Sequence, residues 1–180
     1  EMHQVQLTAT KAFGPTWGAA QLTTVGEIGY NSFNLPAGLS FAGPGTYLAV
    51  TATGATAASK GSQQTEGFVT NSSWGYRLQG RLDFPNAIGP TTVSPRIAFN
   101  HDVQGVGPNF NQDTKALTFG LGFNYKENWQ ADIAYTSFFG GRTYSGTDPV
   151  ATAGQASTFA SSANPLKDRD FLSVSVSYSF

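Results

Sequence analysis

The chain has 180 residues, of which 39% are hydrophobic, 13% aromatic and only 12% charged. A formal net charge of -1, with ten lysine and arginine residues scattered along the chain, excludes the basic surface that a nucleic-acid-binding domain needs. The lack of cysteine excludes disulfides and thiolate metal sites, and no apolar run reaches the roughly 18 residues of a membrane-spanning helix.

Apolar and polar residues alternate in seven stretches, which predicts β-strands because successive side chains of a strand point to opposite faces. In one stretch, for example, Trp129, Ala131 and Ile133 share a face while Gln130 and Asp132 lie on the other. The strands are predicted at residues 3–13, 19–31, 74–84, 91–102, 114–125, 129–139 and 171–180. Each is about ten to thirteen residues long, close to what a tilted strand needs to cross a bilayer.

The last predicted strand is amphipathic along its whole length. Its apolar face consists of Leu172, Val174, Val176, Tyr178 and Phe180, and the intervening residues are serines. This alternation alone leaves a soluble sandwich and a membrane barrel open. The pattern, closing on phenylalanine, also resembles the C-terminal signal that the bacterial barrel-assembly machinery recognises, which is an apolar edge that can be captured by β-augmentation.

The connections between the predicted strands alternate in length. Those at 14–18, 85–90 and 126–128 are short, and those at 32–73, 103–113 and 140–168 are longer. Outer-membrane barrels have short periplasmic turns and longer extracellular loops. The alternation therefore predicts an all-β, antiparallel transmembrane β-barrel in the bacterial outer membrane, with 32–73 and 140–168 as long extracellular loops. A short hairpin is predicted within the first of them, near residues 46–53.

Aromatic residues are predicted to form the two girdles that barrels carry at the membrane interfaces. The periplasmic band would contain Phe13, Trp17, Phe84, Tyr125, Trp129, Tyr178 and Phe180, and the outer band Tyr30, Trp74, Tyr76, Phe99 and Phe139. About seven strands are predicted, whereas single-chain bacterial barrels have an even number. We therefore expect the chain to be the C-terminal segment of a larger barrel; the alternative is a small barrel with an extra strand in the long loop.

Charged residues with polar-face parity are the candidates for a functional lining. They are Glu27, Arg77, Arg81, Asp83, Arg96, Asp102 and Asp132. If they face a lumen, rings of such charges would set the selectivity of a pore for polar or anionic solutes. The alternative is that charges of opposite sign pair across neighbouring strands and fill the wall.

His101 and Asp102 suggest an enzyme at the barrel mouth, but adjacent strand residues face opposite sides, which opposes a catalytic dyad. No segment supplies a nucleophile or base at a useful spacing. The sequence therefore predicts no enzyme activity, no cofactor and no metal site.

Several motifs resemble the C-terminal part of a family of large outer-membrane proteins from pseudomonads and related proteobacteria, whose function is undefined. They are residues 95–99 (PRIAF), 101–103 (HDV), 115–117 (KAL), 135–141 (YTSFFGG) and 168–171 (DRDF). The resemblance covers residues 74–180 and, more loosely, 1–31. It implies a Gram-negative outer-membrane location and a barrel fold, and brings no catalytic residues with it.

The expected function is a porin-like channel or an uptake barrel for small solutes or hydrophobic compounds, with the long loops constricting or capping the lumen. The alternative is a non-conducting structural or assembly barrel that docks a periplasmic or surface partner, and a hydrolase at the barrel mouth is the third hypothesis. The expected partners are outer-membrane lipid and lipopolysaccharide, the barrel-assembly machinery during biogenesis, and the rest of the barrel or a periplasmic protein.

Overall fold

The computed structural model describes residues 1–46, 66–147 and 158–180 as nine strands and their connections. The hairpin predicted near residues 46–53 lies almost wholly outside the described residues. The strands are Met2–Phe13 (β1), Gln21–Phe33 (β2), Ser72–Ile88 (β3), Thr91–Gln104 (β4), Thr114–Tyr125 (β5), Trp129–Gly140 (β6), Thr143–Thr147 (β7), Thr158–Ser162 (β8) and Phe171–Tyr178 (β9). The described residues contain no helix, and therefore none long and apolar enough to cross a membrane.

Seven of these strands form one antiparallel sheet in the order β1-β2-β3-β4-β5-β6-β9. Each strand pairs with the next in the chain, except that the β7–β8 hairpin is inserted between β6 and β9 and forms a separate two-stranded sheet. The prediction of an all-β, antiparallel sheet of seven strands is confirmed. The sheet is not closed, since β1 and β9 each have one strand neighbour in it.

Two connections differ from the predicted ones. The third strand continues to Ile88, four residues beyond its predicted end, and leaves Gly89 and Pro90 as the turn. The register with β4 shifts between Phe84 and Ile88, and Asn86 has a positive φ of 53°. This irregularity interrupts the alternation of apolar and polar residues, so the strand was predicted to end four residues too early.

The connection predicted as a loop at 140–168 carries the β7–β8 hairpin. Its residues are mostly Gly, Ser, Thr and Ala, which gave no apolar alternation. This hairpin forms its own sheet and does not extend the main one. The alternative of an extra strand in the long loop stays a prediction.

Cross-strand pairing gives the main sheet one apolar and one polar face. Leu78 lies opposite Phe99, and Phe99 lies opposite Leu117, so apolar residues form continuous rows across the strands. These side chains are not covered within the described chain: Leu7 and Val174, on β1 and β9, are each 67% exposed. The apolar face runs from β1 to β9, and no other part of residues 1–46, 66–147 and 158–180 packs a core against it.

The buried core lies in the connections at one end of the sheet. Val106 of the β4–β5 connection forms one cluster with Tyr144 of β7 and Ala163 just after β8, and all three are at most 2% exposed. Thr70 and Val106 exchange two hydrogen bonds of 2.9 Å, one of them through the Thr70 hydroxyl. We call the described segments at this end the loop cap. They are residues 34–46, 66–71, 105–113, 141–147 and 162–170. The opposite end carries only the short connections.

Candidate functional site

All seven charged residues predicted to share a face do so. The pairing places Glu27 opposite Arg77, and Arg81 opposite Arg96. Asp83, Asp102 and Asp132 occupy the same polar face, through the partners Gln21, Gly75 and Gly122. That this face lines a lumen stays a prediction.

Arg96 and Asp132 form an ion pair that crosses an intervening strand. Arg96 is on β4 and Asp132 on β6, and the guanidinium lies over Gly120 of β5. Its Nη2 donates to Asp132 Oδ1 at 2.8 Å, and its Nη1 donates to Oδ2. A Cβ atom at position 120 would lie 2.5 Å from Arg96 Cζ, so glycine is what leaves room for the crossing. A bidentate pair of this kind fixes the guanidinium in one orientation.

Arg81 is paired with a carboxylate of its own strand. Its Nε and Nη2 donate to the two oxygens of Asp83 at 2.8 and 3.1 Å, and the Ser94 hydroxyl donates to the same carboxylate at 2.6 Å. Arg81 and Arg96 are direct cross-strand neighbours, and like charges in that position repel. The two carboxylates compensate this repulsion. The predicted alternative was pairing across neighbouring strands, whereas Asp83 lies on the same strand as Arg81 and Asp132 lies two strands from Arg96.

Glu27 and Arg77 behave differently, although they lie directly opposite each other. No ion pair within 4.0 Å joins them, and the described partner of Glu27 is the Thr8 hydroxyl at 3.2 Å. Of the three arginines on the polar face, Arg77 is therefore the one whose charge is not paired within the described residues.

Asp102 is engaged in holding the connection between β4 and β5. Its Oδ2 accepts a hydrogen bond from the Asn111 N–H at 2.9 Å and another from the Thr114 hydroxyl at 2.8 Å. His101 lies on the apolar face, where its Nδ1 is 3.3 Å from the Tyr76 hydroxyl. The two neighbouring residues thus point to opposite faces of the sheet and do not form a dyad with each other.

The paired charges border an open groove on the polar face of about 530 Å³. Its walls include Gln79, Asn124 and Gln130 as well as the two arginines, and Ser175 and Ser177 of β9 line one side. The groove offers hydrogen-bond donors and acceptors with nearly balanced charge. It can form hydrogen bonds with water and polar solutes. Among the described residues, no group of three His, Cys, Asp or Glu side chains could hold a metal ion.

The predicted assembly residues lie at the edge of the sheet. Leu172, Val174, Val176 and Tyr178 are on the apolar face of β9, and the Tyr178 ring packs 4.8 Å from that of Trp129. Phe180 lies beyond the strand and is fully exposed. The outer edge of β9 has no strand partner in the sheet, so its main-chain groups can accept a further strand.

Sequence reasoning missed the glycines and the aromatic residue that shape the polar face. Gly120 makes room for Arg96, while Gly29 and Gly75 lie beneath the ring of Phe110 from the loop cap. Glycine inside a strand signals the close approach of another group. The identity of that group could not be read from the sequence.

These features define an all-β protein built on a seven-stranded antiparallel sheet, apolar on one face and carrying charged residues, four of them in two ion pairs, on the other. The sequence profile of the family described as "Protein of unknown function (DUF1302)" matches residues 1–180, and the chain belongs to this family. No curated protein and no solved structure matched the chain. The family description names neither a membrane nor a bacterial group, so the expected pseudomonad outer-membrane origin stays a prediction.

Proposed function

We propose that this chain forms seven strands in the wall of a Gram-negative outer-membrane β-barrel, with lipid on its apolar face and an aqueous lumen on its polar face. The barrel acts as a porin-like channel or uptake pathway for small solutes. The observation that carries this proposal is the apolar face, which is continuous over all seven strands and is not covered by any other described residues.

The extent of the apolar face is unusual for a protein that contacts only water. Soluble monomers rarely expose contiguous apolar patches larger than about 300–600 Å². Here large side chains between about two-fifths and two-thirds exposed occur on every strand of the sheet. They include Leu7, Ile28, Leu78, Ile97, Phe119, Ile133 and Val174. Contact with lipid would remove this apolar surface from water, which is favourable in free energy.

Aromatic and basic side chains at the strand ends also support a membrane. Trp129, Tyr178 and Tyr125 lie at the end with short connections, and the Lys126 ammonium is 5.2 Å from the centre of the Tyr125 ring. Lys11, on the apolar face near the end of β1, lies 4.7 Å from the ring of Phe13. Amphipathic side chains of this kind favour the boundary between hydrocarbon and water.

Neighbouring residues on opposite faces allow a direct test of orientation. These 180 residues contain no cysteine, so a cysteine introduced on either face is the only one within them. In lipid vesicles we expect Ala98→Cys and Ser175→Cys to react with a water-soluble maleimide, and Ile97→Cys and Val174→Cys to be protected. Equal reaction of the two faces would contradict the proposed membrane orientation.

Solute flux tests the channel. The full-length protein in proteoliposomes is expected to let small sugars and amino acids enter, measured as osmotic swelling. Vesicles that carry correctly inserted protein, as shown by the cysteine pattern, and still exclude every small solute would refute passive transport.

A non-conducting structural barrel is the second candidate, because Arg81 and Arg96 are both paired within the wall. It predicts no flux and a stoichiometric periplasmic or surface partner that co-purifies from native membranes. A barrel that is isolated alone and conducts solutes would exclude it.

We also propose that the barrel-assembly machinery captures the C-terminal strand. Its unpaired outer edge and its exposed apolar face are the features that β-augmentation requires. Phe180, which lies beyond β9 and is fully exposed, adds an apolar side chain next to this face.

A further inference from the structure

The connection between β4 and β5, residues 105–113, folds back over the polar face instead of projecting from the end of the sheet. Val106, Gly107 and Phe110 are buried, although they belong to a connection. The amide of Asn109 donates to Gln4 Oε1 at 3.4 Å, and Gln4 is on the polar face of β1. The connection therefore spans three inter-strand steps, which is about 14 Å at the usual strand spacing.

A pair of glycines receives the aromatic ring of this connection. Gly29 on β2 and Gly75 on β3 are direct cross-strand partners on the polar face. A Cβ atom built at either position would lie 2.8 Å from a ring atom of Phe110. Phe110 is only 8% exposed, so its ring is seated in a notch that exists because both partners lack side chains.

Hydrogen bonds at the base of the connection fix its course. Asp102 accepts from Asn111 N–H and from the Thr114 hydroxyl, and Gly107 N–H donates to the Phe110 carbonyl at 2.8 Å. Val106, on the other side of the connection, is joined to Thr70 of the loop cap. The connection is thus held between the sheet and residues 66–71 of the loop cap.

We propose that residues 105–113 form a constriction segment that lies across the polar mouth and sets the upper size of the solutes that enter. This inference rests on the proposed channel function. Phe110 is its anchor, and its reach to Gln4 covers the polar face of β1, β2 and β3 at that end. The segment limits passage to small hydrophilic solutes, because a bulky solute must displace the seated ring.

Polar groups beneath the segment favour its release when a solute arrives. Asn31 and Ser73 lie directly opposite each other, and both are at most 1% exposed. The amide atoms of Asn31 and the hydroxyl of Ser73 have no hydrogen-bond partner among the described residues. Buried polar groups without partners are costly, so lifting the segment lets water or a polar solute satisfy them.

Alanine at the notch tests the role of the segment in the full-length protein. Gly29→Ala introduces a methyl group against the Phe110 ring, whereas Gly26→Ala on the same strand meets Leu78 Cδ2 at 3.6 Å, an ordinary contact. We expect Gly29→Ala, and Phe110→Ala as a second variant, to increase proteoliposome swelling severalfold for a trisaccharide with little change for a monosaccharide. Gly26→Ala should behave as wild type.

The position of the segment is tested separately from flux. A short bifunctional thiol crosslinker should join the double variant Gln4→Cys with Asn109→Cys, but not Thr10→Cys with Asn109→Cys, because Thr10 lies six residues further along β1. Failure of the Gln4→Cys and Asn109→Cys pair to crosslink would overturn the proposed position of the constriction segment. The channel function would still be tested separately by the flux of small solutes. Crosslinking with unchanged size selectivity in the notch variants would overturn the constriction role. A complete lack of flux in every variant would refute the channel, and with it the size limit, even if the crosslink forms.

Discussion

The pair of glycines on β5 allows a quantitative test of the Arg96–Asp132 ion pair. Gly120 and Gly122 are two residues apart on the same strand and face the same polar side. A Cβ atom at 120 would be 2.5 to 2.8 Å from three atoms of the Arg96 guanidinium, whereas one at 122 would have 3.7 Å contacts. Alanine at 120 therefore displaces the guanidinium, and alanine at 122 does not.

The magnitude follows from the exposure of the pair. The side chains of Arg96 and Asp132 are 26% and 34% exposed, so solvent screens part of their attraction. Fully exposed pairs contribute about 0–1 kcal/mol, and hydrogen bonds to charged groups about 1.5–3 kcal/mol. We expect Gly120→Ala to be about 1–2 kcal/mol less stable than Gly122→Ala. Both variants share the gain of about 0.4–1 kcal/mol from a less flexible unfolded chain, which cancels in the comparison.

Urea unfolding in detergent or lipid, with wild type and both variants, measures this difference. Repeating the comparison in an Arg96→Ala background completes a double-mutant cycle. There the penalty at 120 should vanish, since the group that the new methyl would displace is gone. Equal stability of the two alanine variants in the wild-type background would refute the reasoning, and so would a penalty that persists without Arg96.

Three further predictions concern other parts of the molecule. The Asp170 carboxylate, just before β9, accepts a 2.6 Å hydrogen bond from the Tyr135 hydroxyl, which is the main reason that the pKa of Asp170 is lowered. Because the pKa of Asp170 is lower in the folded than in the unfolded protein, the ionised carboxylate stabilises the fold above about pH 4, the pKa of an aspartate in an unfolded chain. This contribution is lost as the pH falls below that value. Asp170→Asn should therefore flatten the acid limb of a stability-versus-pH curve. Val174→Arg should lower the free energy of unfolding in lipid by up to about 2–4 kcal/mol, while Ser175→Arg, its neighbour on the polar face, should have a much smaller effect. Removal of Phe180 should reduce the amount of assembled protein in outer-membrane fractions without changing the size selectivity of the protein that does assemble, and unchanged assembly would contradict the proposed recognition.

The strands could be predicted because their pattern is local. In β5, Leu117, Phe119 and Leu121 fall on one face through the two-residue period alone, and the predicted bounds 114–125 match the structure. The shared face of the seven charged residues follows from the same parity. The pairing of charges within the wall could not be assigned, because Arg96 and Asp132 are 36 residues apart and meet across a third strand.

The course of the connections was not predictable for a related reason. Phe110 is seated by Gly29 and Gly75, which come from two other strands, and no periodicity encodes such a contact. The sequence suggested that the long loops at 32–73 and 140–168 would constrict or cap a lumen. Their described parts pack on the shorter connection at 105–113, through Thr70 and Tyr144 among others, and this connection reaches across the polar face. That the long loops themselves constrict or cap a lumen stays a prediction.

The number and direction of the strands constrain how the sheet can close. Six successive antiparallel pairings separate β1 from β9, so these two edge strands run in the same direction. Direct pairing of β1 with β9 would be parallel, which an antiparallel barrel does not contain. Closure with antiparallel neighbours at both edges requires an odd number of additional strands.

Crosslinking between the two edges, in the full-length protein reconstituted in lipid vesicles, distinguishes the possibilities. Leu7→Cys and Val174→Cys lie near the middle of β1 and β9, on the same apolar face. Adjacent strands are about 4.8 Å apart, whereas even one intervening strand doubles that distance. We therefore expect no disulfide between these cysteines under mild oxidation. Efficient intramolecular disulfide formation would show that β1 and β9 are direct neighbours, and the requirement for additional strands would then be wrong.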